Sequence, residues 1–136
     1  MKLCAIIFSL LLCGISTPGF ARGDSYYAAS QQQLKTGIYE LEGYNPGSNS
    51  INYRGKVEIQ RNGNNYELNW YIGSAQRQYG IAIFANNVLS VSYVDASGNE
   101  VGVVSYVLLD GNTFEGRWAS FGSGNYGIEV LRWSSY

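Results

Sequence analysis

Carboxyl groups and aromatic rings are the side chains with which this sequence could do chemistry. It contains no histidine, and its two cysteines, Cys4 and Cys13, lie near the start of the chain. Without an imidazole or a downstream thiol, the chain cannot assemble a Ser-His-Asp or Cys-His nucleophile or an ordinary structural zinc site. Most hydrolase mechanisms are thereby excluded, and we predict neither a metal nor a cofactor.

A pair of carboxylates could still serve a glycosidase. Five acidic residues, however, fall on the polar faces of predicted strands, namely Glu40, Glu42, Glu58, Glu67 and Glu115. Charged side chains on the solvated face of a half-buried strand account for these positions. We therefore predict no catalytic residue, and we rank a carboxylate-based enzyme below the binding functions considered next.

Glu129 is the exception among the carboxyl groups, because it lies in the alternating segment Gly127-x-Glu129-x-Leu131. If this phase faces the interior, Glu129 is buried and needs hydrogen-bond donors, for which tyrosine hydroxyls are available. If Ile128 and Val130 face the interior instead, Glu129 lies in water. The alternation permits both orientations.

Eight aromatic residues share the predicted inner phase: Tyr39, Tyr53, Tyr66, Trp70, Tyr93, Tyr106, Phe114 and Trp118. An eight-stranded barrel encloses a space that side chains can fill or that one small ligand can occupy. The sequence therefore leaves two interpretations. The rings form a packed core, or the tyrosines and tryptophans line a lumen and bind a ligand together with Glu129.

The elements that position these residues are predicted to be short strands. From Gly37 onward, apolar and polar residues alternate between turn signals such as Asn45-Pro46-Gly47, Asn62-Gly63 and Asp110-Gly111. A looser loop is expected around residues 73–79, and the sixth strand, the most apolar, is expected to be covered on both faces. The predicted strands are Gly37–Glu42, Asn52–Arg61, Tyr66–Ile72, Gly80–Phe84, Leu89–Tyr93, Val101–Leu109, Phe114–Trp118 and Gly127–Trp133.

Strands of this length with short connections predict an all-β fold, an eight-stranded antiparallel up-and-down meander. Closing the meander into a barrel removes both exposed edges. A β-sandwich is the alternative. Residues 37–136 are predicted to form this single domain.

The first 21 residues have the features of a signal peptide. Lys2 provides a positive start, Leu3 to Leu12 are mostly apolar, and Gly19-Phe20-Ala21 is a cleavage pattern. Lipidation at Cys13 is an alternative, although Leu12 is large for a lipoprotein signal. Cleavage after Ala21 predicts a secreted or periplasmic protein that begins with a mobile arm, residues 22–36.

The charge balance limits the partners. Without Lys2, eight basic residues stand against ten acidic ones, a net charge of −2, and no basic run is present. This composition argues against binding to nucleic acid or to an anionic membrane. No segment beyond the leader approaches the length of a transmembrane helix.

The order of the motifs resembles a family of small exported bacterial proteins. The motifs are Gly37-x-Tyr39-x-Leu41, Tyr53-x-Gly55-x-Val57-x-Ile59, Tyr66-x-Leu68-x-Trp70, Phe114-x-Gly116-x-Trp118 and Gly127-x-Glu129-x-Leu131. Most members have no known function, and some are labelled fibronectin-binding proteins. More distantly, the first strand resembles that of calycins, which implies a calycin-like barrel.

We therefore expect a secreted, non-enzymatic binding module that contacts an extracellular or envelope protein, matrix component or glycan through aromatic-containing loops. The alternative is a carrier of a small apolar ligand inside the barrel. The sequence leaves the oligomeric state open.

Overall fold

The computed structural model describes residues 32–136, which form eight β-strands. The predicted signal peptide, its cleavage site and most of the predicted arm lie outside these residues. The strands are β1 (Gly37–Tyr44), β2 (Tyr53–Asn62), β3 (Asn65–Ile72), β4 (Gln76–Ala85), β5 (Val88–Asp95), β6 (Val101–Leu108), β7 (Thr113–Ser120) and β8 (Gly127–Ser135).

The strands form a closed antiparallel barrel in which each strand pairs with the next along the chain. Closure is made by β1 and β8, where Leu41 lies opposite Leu131. The prediction of a closed eight-stranded up-and-down barrel is confirmed, and the alternative of a β-sandwich is wrong. Because every strand has two partners, the barrel has no open edge.

The fourth strand is longer than predicted. It begins at Gln76, so the loop expected over residues 73–79 is a short turn followed by strand. Gln78 faces inward and Tyr79 outward, which continues the alternation of the strand. The prediction failed because a polar glutamine occupies an inward position, where the pattern calls for an apolar residue.

The interior is filled along most of its length by side chains from alternate positions of all eight strands. Burying each large apolar side chain contributes about 1.5–3 kcal/mol to folding. The residues that are most completely buried include Tyr39, Leu41, Val57, Ile59, Leu68, Trp70, Leu89, Tyr106, Phe114 and Leu131.

One end of the barrel is closed by residues 32–36, the last part of the predicted arm. Leu34 is only 6% exposed and belongs to the core cluster. The Tyr39 hydroxyl donates a hydrogen bond to the Lys35 carbonyl at 2.7 Å, and the Trp133 indole N–H donates one to the Thr36 carbonyl at 3.1 Å. This segment therefore lies against the barrel and covers its interior.

The outer surface differs between the two sides of the barrel. On β1, β2 and β8 it carries ion pairs, in which Glu42 lies 2.8 Å from Arg132 and 3.5 Å from Arg54. On β4 and β6 it is largely apolar, and Ile81, Ile83, Val101, Val103 and Val107 are exposed. The prediction that the sixth strand is covered on both faces is wrong, because alternate valines of β6 face solvent.

None of residues 32–136 belongs to a helix of the length and hydropathy needed to cross a membrane.

Candidate ligand-binding cavity

A cavity of about 260 Å³ lies at the end of the barrel opposite residues 32–36. This end is formed by the loops that follow β1, β3, β5 and β7. Its volume lies just below the roughly 300–1,000 Å³ of sites for drug-sized ligands, so it suits a smaller molecule. The lining residues are Asn45, Asn52, Tyr53, Trp70, Ile72, Gln76, Gln78, Tyr93, Glu100, Val104, Trp118 and Glu129.

Glu129 lies in the wall of this cavity with its side chain directed into the barrel. The residue is 4% exposed, which resolves the two orientations that the sequence allowed. The Tyr53 hydroxyl donates a hydrogen bond to Oε1 at 2.9 Å, and the Tyr106 hydroxyl donates one to Oε2. Each carboxyl oxygen therefore has one tyrosine donor.

No basic side chain of residues 32–136 forms an ion pair with Glu129. The ion pairs among the described residues lie on the outer face and involve Glu40 and Glu42, not Glu129. A buried carboxylate without a cationic partner is costly, and the two hydroxyl donors offset only part of that cost.

Burial raises the pKa of Glu129, while the hydrogen bonds from Tyr106, Tyr53 and Trp70 oppose that rise. Burial also raises the pKa of Tyr53 and of Tyr106 well above the ordinary value, and the nearby Glu129 carboxyl raises both further. Both phenols therefore keep their protons at neutral pH and serve as donors to the carboxyl group.

The aromatic walls are positioned by glycines on neighbouring strands. Tyr53 lies opposite Gly43, and Tyr106 lies opposite Gly116. A Cβ atom at Gly43 would lie 1.9 Å from Tyr53 Cζ, and one at Gly116 would lie 2.2 Å from Tyr106 Cδ1. The rings therefore lie flat over backbone that has no side chain, which brings their hydroxyls to Glu129.

Trp118 and Tyr93 follow the same rule. Trp118 covers Gly127, and Tyr93 covers Gly102. The indole Nε1 of Trp118 is buried and has no hydrogen-bond partner among the described residues. It is thus an unused donor in a residue that lines the cavity.

Further polar groups line the cavity. Gln78 is buried, and its side-chain amide is part of the lining. At the rim, Ser120 Oγ donates a hydrogen bond to Glu100 Oε1 at 2.6 Å and lies 3.2 Å from the Tyr93 hydroxyl. The lining therefore includes two carboxyl groups, four side-chain amides and four aromatic side chains.

The cavity brings together five of the eight predicted site residues, namely Tyr53, Trp70, Tyr93, Trp118 and Glu129. Tyr106 contacts Glu129 but is fully buried beneath the lining. The lining of this cavity does not include Tyr39 or Tyr66. Tyr39 packs on Phe114 with ring centroids 5.8 Å apart, and Tyr66 packs on Phe84 at 6.4 Å.

Sequence reasoning missed Gln78 and Glu100 as lining residues. Gln78 was placed in a loop, although its even spacing from Gly80 and Ala82 is the strand signal that would have directed it inward. Glu100 precedes β6 in a loop and carries no comparable signal. Within residues 32–136, no three acidic side chains approach one another closely enough to bind a metal ion.

Comparison with one solved structure supports the fold. The chain is similar to a de novo designed fluorescence-activating β-barrel, with a TM-score of 0.58, 16% identity, and coverage of 76% of this chain and 96% of that one. It also matches fatty-acid-binding protein 1 of Echinococcus granulosus, with a TM-score of 0.47, 8% identity, and coverage of 74% and 97%. No protein-family model and no curated protein matches the sequence.

Proposed function

We propose that the protein is a non-enzymatic carrier that binds a small, largely apolar organic molecule in the open end of its barrel. In this proposal the mature protein acts outside the cytoplasm, secreted or in the periplasm. The observation that carries the proposal is the buried carboxyl of Glu129 in the wall of a cavity that four aromatic side chains also line.

The packing of the remaining interior supports this interpretation. The opposite end is filled by large side chains and covered by Leu34. A barrel that needed its aromatic residues only for stability could be filled along its whole length, since voids in protein cores are destabilising. Here the unfilled space coincides with the unpaired indole N–H of Trp118 and with the amide of Gln78 in the lining. Six lining residues are aromatic or aliphatic and six carry an amide or a carboxyl group. Polar groups that converge beside apolar walls occur in small-molecule sites.

Binding is favoured over catalysis by the state of the two carboxyl groups. Glu129 accepts hydrogen bonds from Tyr53 and Tyr106, and Glu100 accepts one from Ser120. Each carboxyl is thus held by neutral hydroxyl donors, an arrangement that positions it for recognition.

The test is a thermal-shift screen with apolar, aromatic, amine, acid and glycan compounds, followed by titration of tryptophan fluorescence. We expect at least one compound to raise the melting temperature, since a ligand at a hundredfold excess over Kd stabilises the fold by about 2.7 kcal/mol. Gln78→Phe should fill the cavity and abolish the shift. Tyr79→Phe, on the outer face of the same strand, is the matched control and should retain it. A screen without hits, or a shift that survives Gln78→Phe, would contradict the proposal.

A second candidate function is contact with a protein, matrix component or glycan through the loops at the open end. It is favoured by Phe121, which is 90% exposed in the loop after β7, close in sequence to the exposed Tyr126. Immobilised fibronectin is the probe that the sequence resemblance suggests. If this candidate is correct, the unmodified protein binds immobilised fibronectin, and Phe121→Ser reduces that binding. The compound found in the screen should still raise the melting temperature of the Phe121→Ser variant.

A further inference from the structure

We propose that the ligand of this cavity is a small organic cation, an amine with an apolar or aromatic body. This inference rests on the proposed function and specifies the chemical class of its ligand. Three features of the cavity support it: the sign of its charged groups, the free acceptor capacity of Glu129 and the nature of its walls.

The charged groups of the cavity are all acidic. Glu129 and Glu100 line it, and no lysine or arginine of residues 32–136 does. The basic residues of the described chain are used elsewhere. Arg54, Lys56 and Arg132 form ion pairs on the outer face, and Arg77 and Arg117 lie over the rings of Tyr71 and Tyr126. An anionic ligand would find no cation to pair with, whereas a cation would meet two carboxyl groups.

Glu129 also has room for a further donor. A carboxylate offers about four acceptor positions on its two oxygens. The hydroxyls of Tyr53 and Tyr106 occupy one position on each oxygen, and the indole N–H of Trp70 takes at most one more. A ligand ammonium could therefore donate to Glu129 without displacing either tyrosine, and it would supply the positive charge that the buried carboxylate lacks.

The aromatic walls can stabilise a cation that has lost its hydration shell. Trp70, Trp118, Tyr53 and Tyr93 contribute four of the twelve lining residues. The negative face of an aromatic ring attracts an ammonium group, most strongly for tryptophan and in desolvated sites. The same rings would pack against an apolar body. The cavity could therefore bind both the ammonium group and the ring of an aromatic amine.

The ionisation of Glu129 links this binding to pH. The titratable groups around its carboxyl are Tyr53, Tyr106 and Tyr93, with Glu100 at the rim, and burial raises the Glu129 pKa. A bound ammonium favours the ionised carboxylate and lowers that pKa. Amine affinity should therefore increase as the pH rises through the pKa of Glu129, as long as the amine itself remains protonated.

The experiment uses three probes of similar size and different charge: 2-phenylethylamine, 2-phenylethanol and 3-phenylpropionate. Their binding to the purified protein is measured by tryptophan fluorescence and calorimetry at pH 7. We expect the amine to bind at least about tenfold more tightly than the alcohol, a difference of about 1.4 kcal/mol, and the acid to bind most weakly. Glu129→Gln should remove most of the preference for the amine. Glu100→Gln should weaken amine binding less, and Glu115→Gln, on the outer face, should leave it unchanged.

If the alcohol or the acid binds as tightly as the amine, the cavity binds ligands but does not select cations. That result overturns this inference and leaves the proposed function intact. If no probe binds while the compound screen yields hits that Gln78→Phe abolishes, the inference again fails alone. If the screen also fails, both fail. Should Glu129→Gln not fold, the ranking of the three probes and the effect of Glu100→Gln still decide the question.

Discussion

At the scale of single residues, burial places the carboxyl group of Glu129 in the cavity and makes the stability of the fold depend on the ionisation of that group. Because burial raises its pKa above the ordinary value of 4.5, the folded protein holds the proton at higher pH than the unfolded chain does. Its favourable contribution to stability is therefore fully present below about pH 4.5 and is lost as the pH rises through the folded pKa. At higher pH the carboxylate is ionised, and the hydrogen bonds from Tyr106, Tyr53 and Trp70 offset only part of the cost of burying its charge.

Glu129→Gln keeps the shape of the side chain and removes its ionisation. As the pH rises from 4.5 to 8, we expect the free energy of unfolding of the unmodified protein to decrease more than that of this variant. Urea unfolding of both proteins across this range measures the difference. Asp95 and Asp110, whose backbone and side-chain hydrogen bonds lower their pKa values, titrate in both proteins and cancel in the comparison. Parallel stability curves for the two proteins would show that Glu129 does not titrate in this range.

At the scale of strands, the pairing of rings with glycines sets the geometry of the site. Gly116→Ala would place a Cβ atom 2.2 Å from Tyr106 Cδ1, so the ring must move and its hydrogen bond to Glu129 must lengthen or break. Overpacking of this kind costs about 1–3 kcal/mol. Urea unfolding measures the loss. The control is Gly124→Ala in the loop after β7, where a Cβ atom would meet nothing within 4 Å. Equal stability of the two variants would contradict the role of Gly116.

The strands themselves were largely predictable from sequence, because alternation and turn residues act locally. The failures came where local pattern does not determine the environment. Val101, Val103 and Val107 are apolar but face solvent, since β-branched residues suit a strand on either face. Gln78 is polar but faces the cavity.

The site was only partly predictable, since it depends on which strands are neighbours. Gly43 of β1 lies between Tyr53 of β2 and Glu129 of β8, so the hydrogen bond from Tyr53 to Glu129 spans two strands. That contact exists only because β1 and β8 close the barrel. Alternation placed the aromatic residues inside, but it could not fix the phase of Glu129 or show that Tyr39 and Tyr66 belong to the filled end.

At the scale of the whole molecule, the barrel has two unlike ends. One is covered by residues 32–36, and the other opens into the cavity. The two ends share the same eight strands but few side chains, since the filled core around Phe114 lies between them. Stability and ligand binding should therefore respond separately to changes at the two ends.

Leu34→Ala tests this separation. The side chain is buried at the closed end, and removing it leaves a gap that costs about 2–5 kcal/mol, the range for large-to-small core substitutions. Urea unfolding should show this loss, whereas the exposed neighbour Gln33, replaced by alanine, should change stability by less than about 0.5 kcal/mol. Below the unfolding temperature, Leu34→Ala should bind 2-phenylethylamine as tightly as the unmodified protein does, because its cavity is intact. Unchanged stability would mean that residues 32–36 do not hold the closed end, and weakened amine binding would mean that the two ends are coupled through the core.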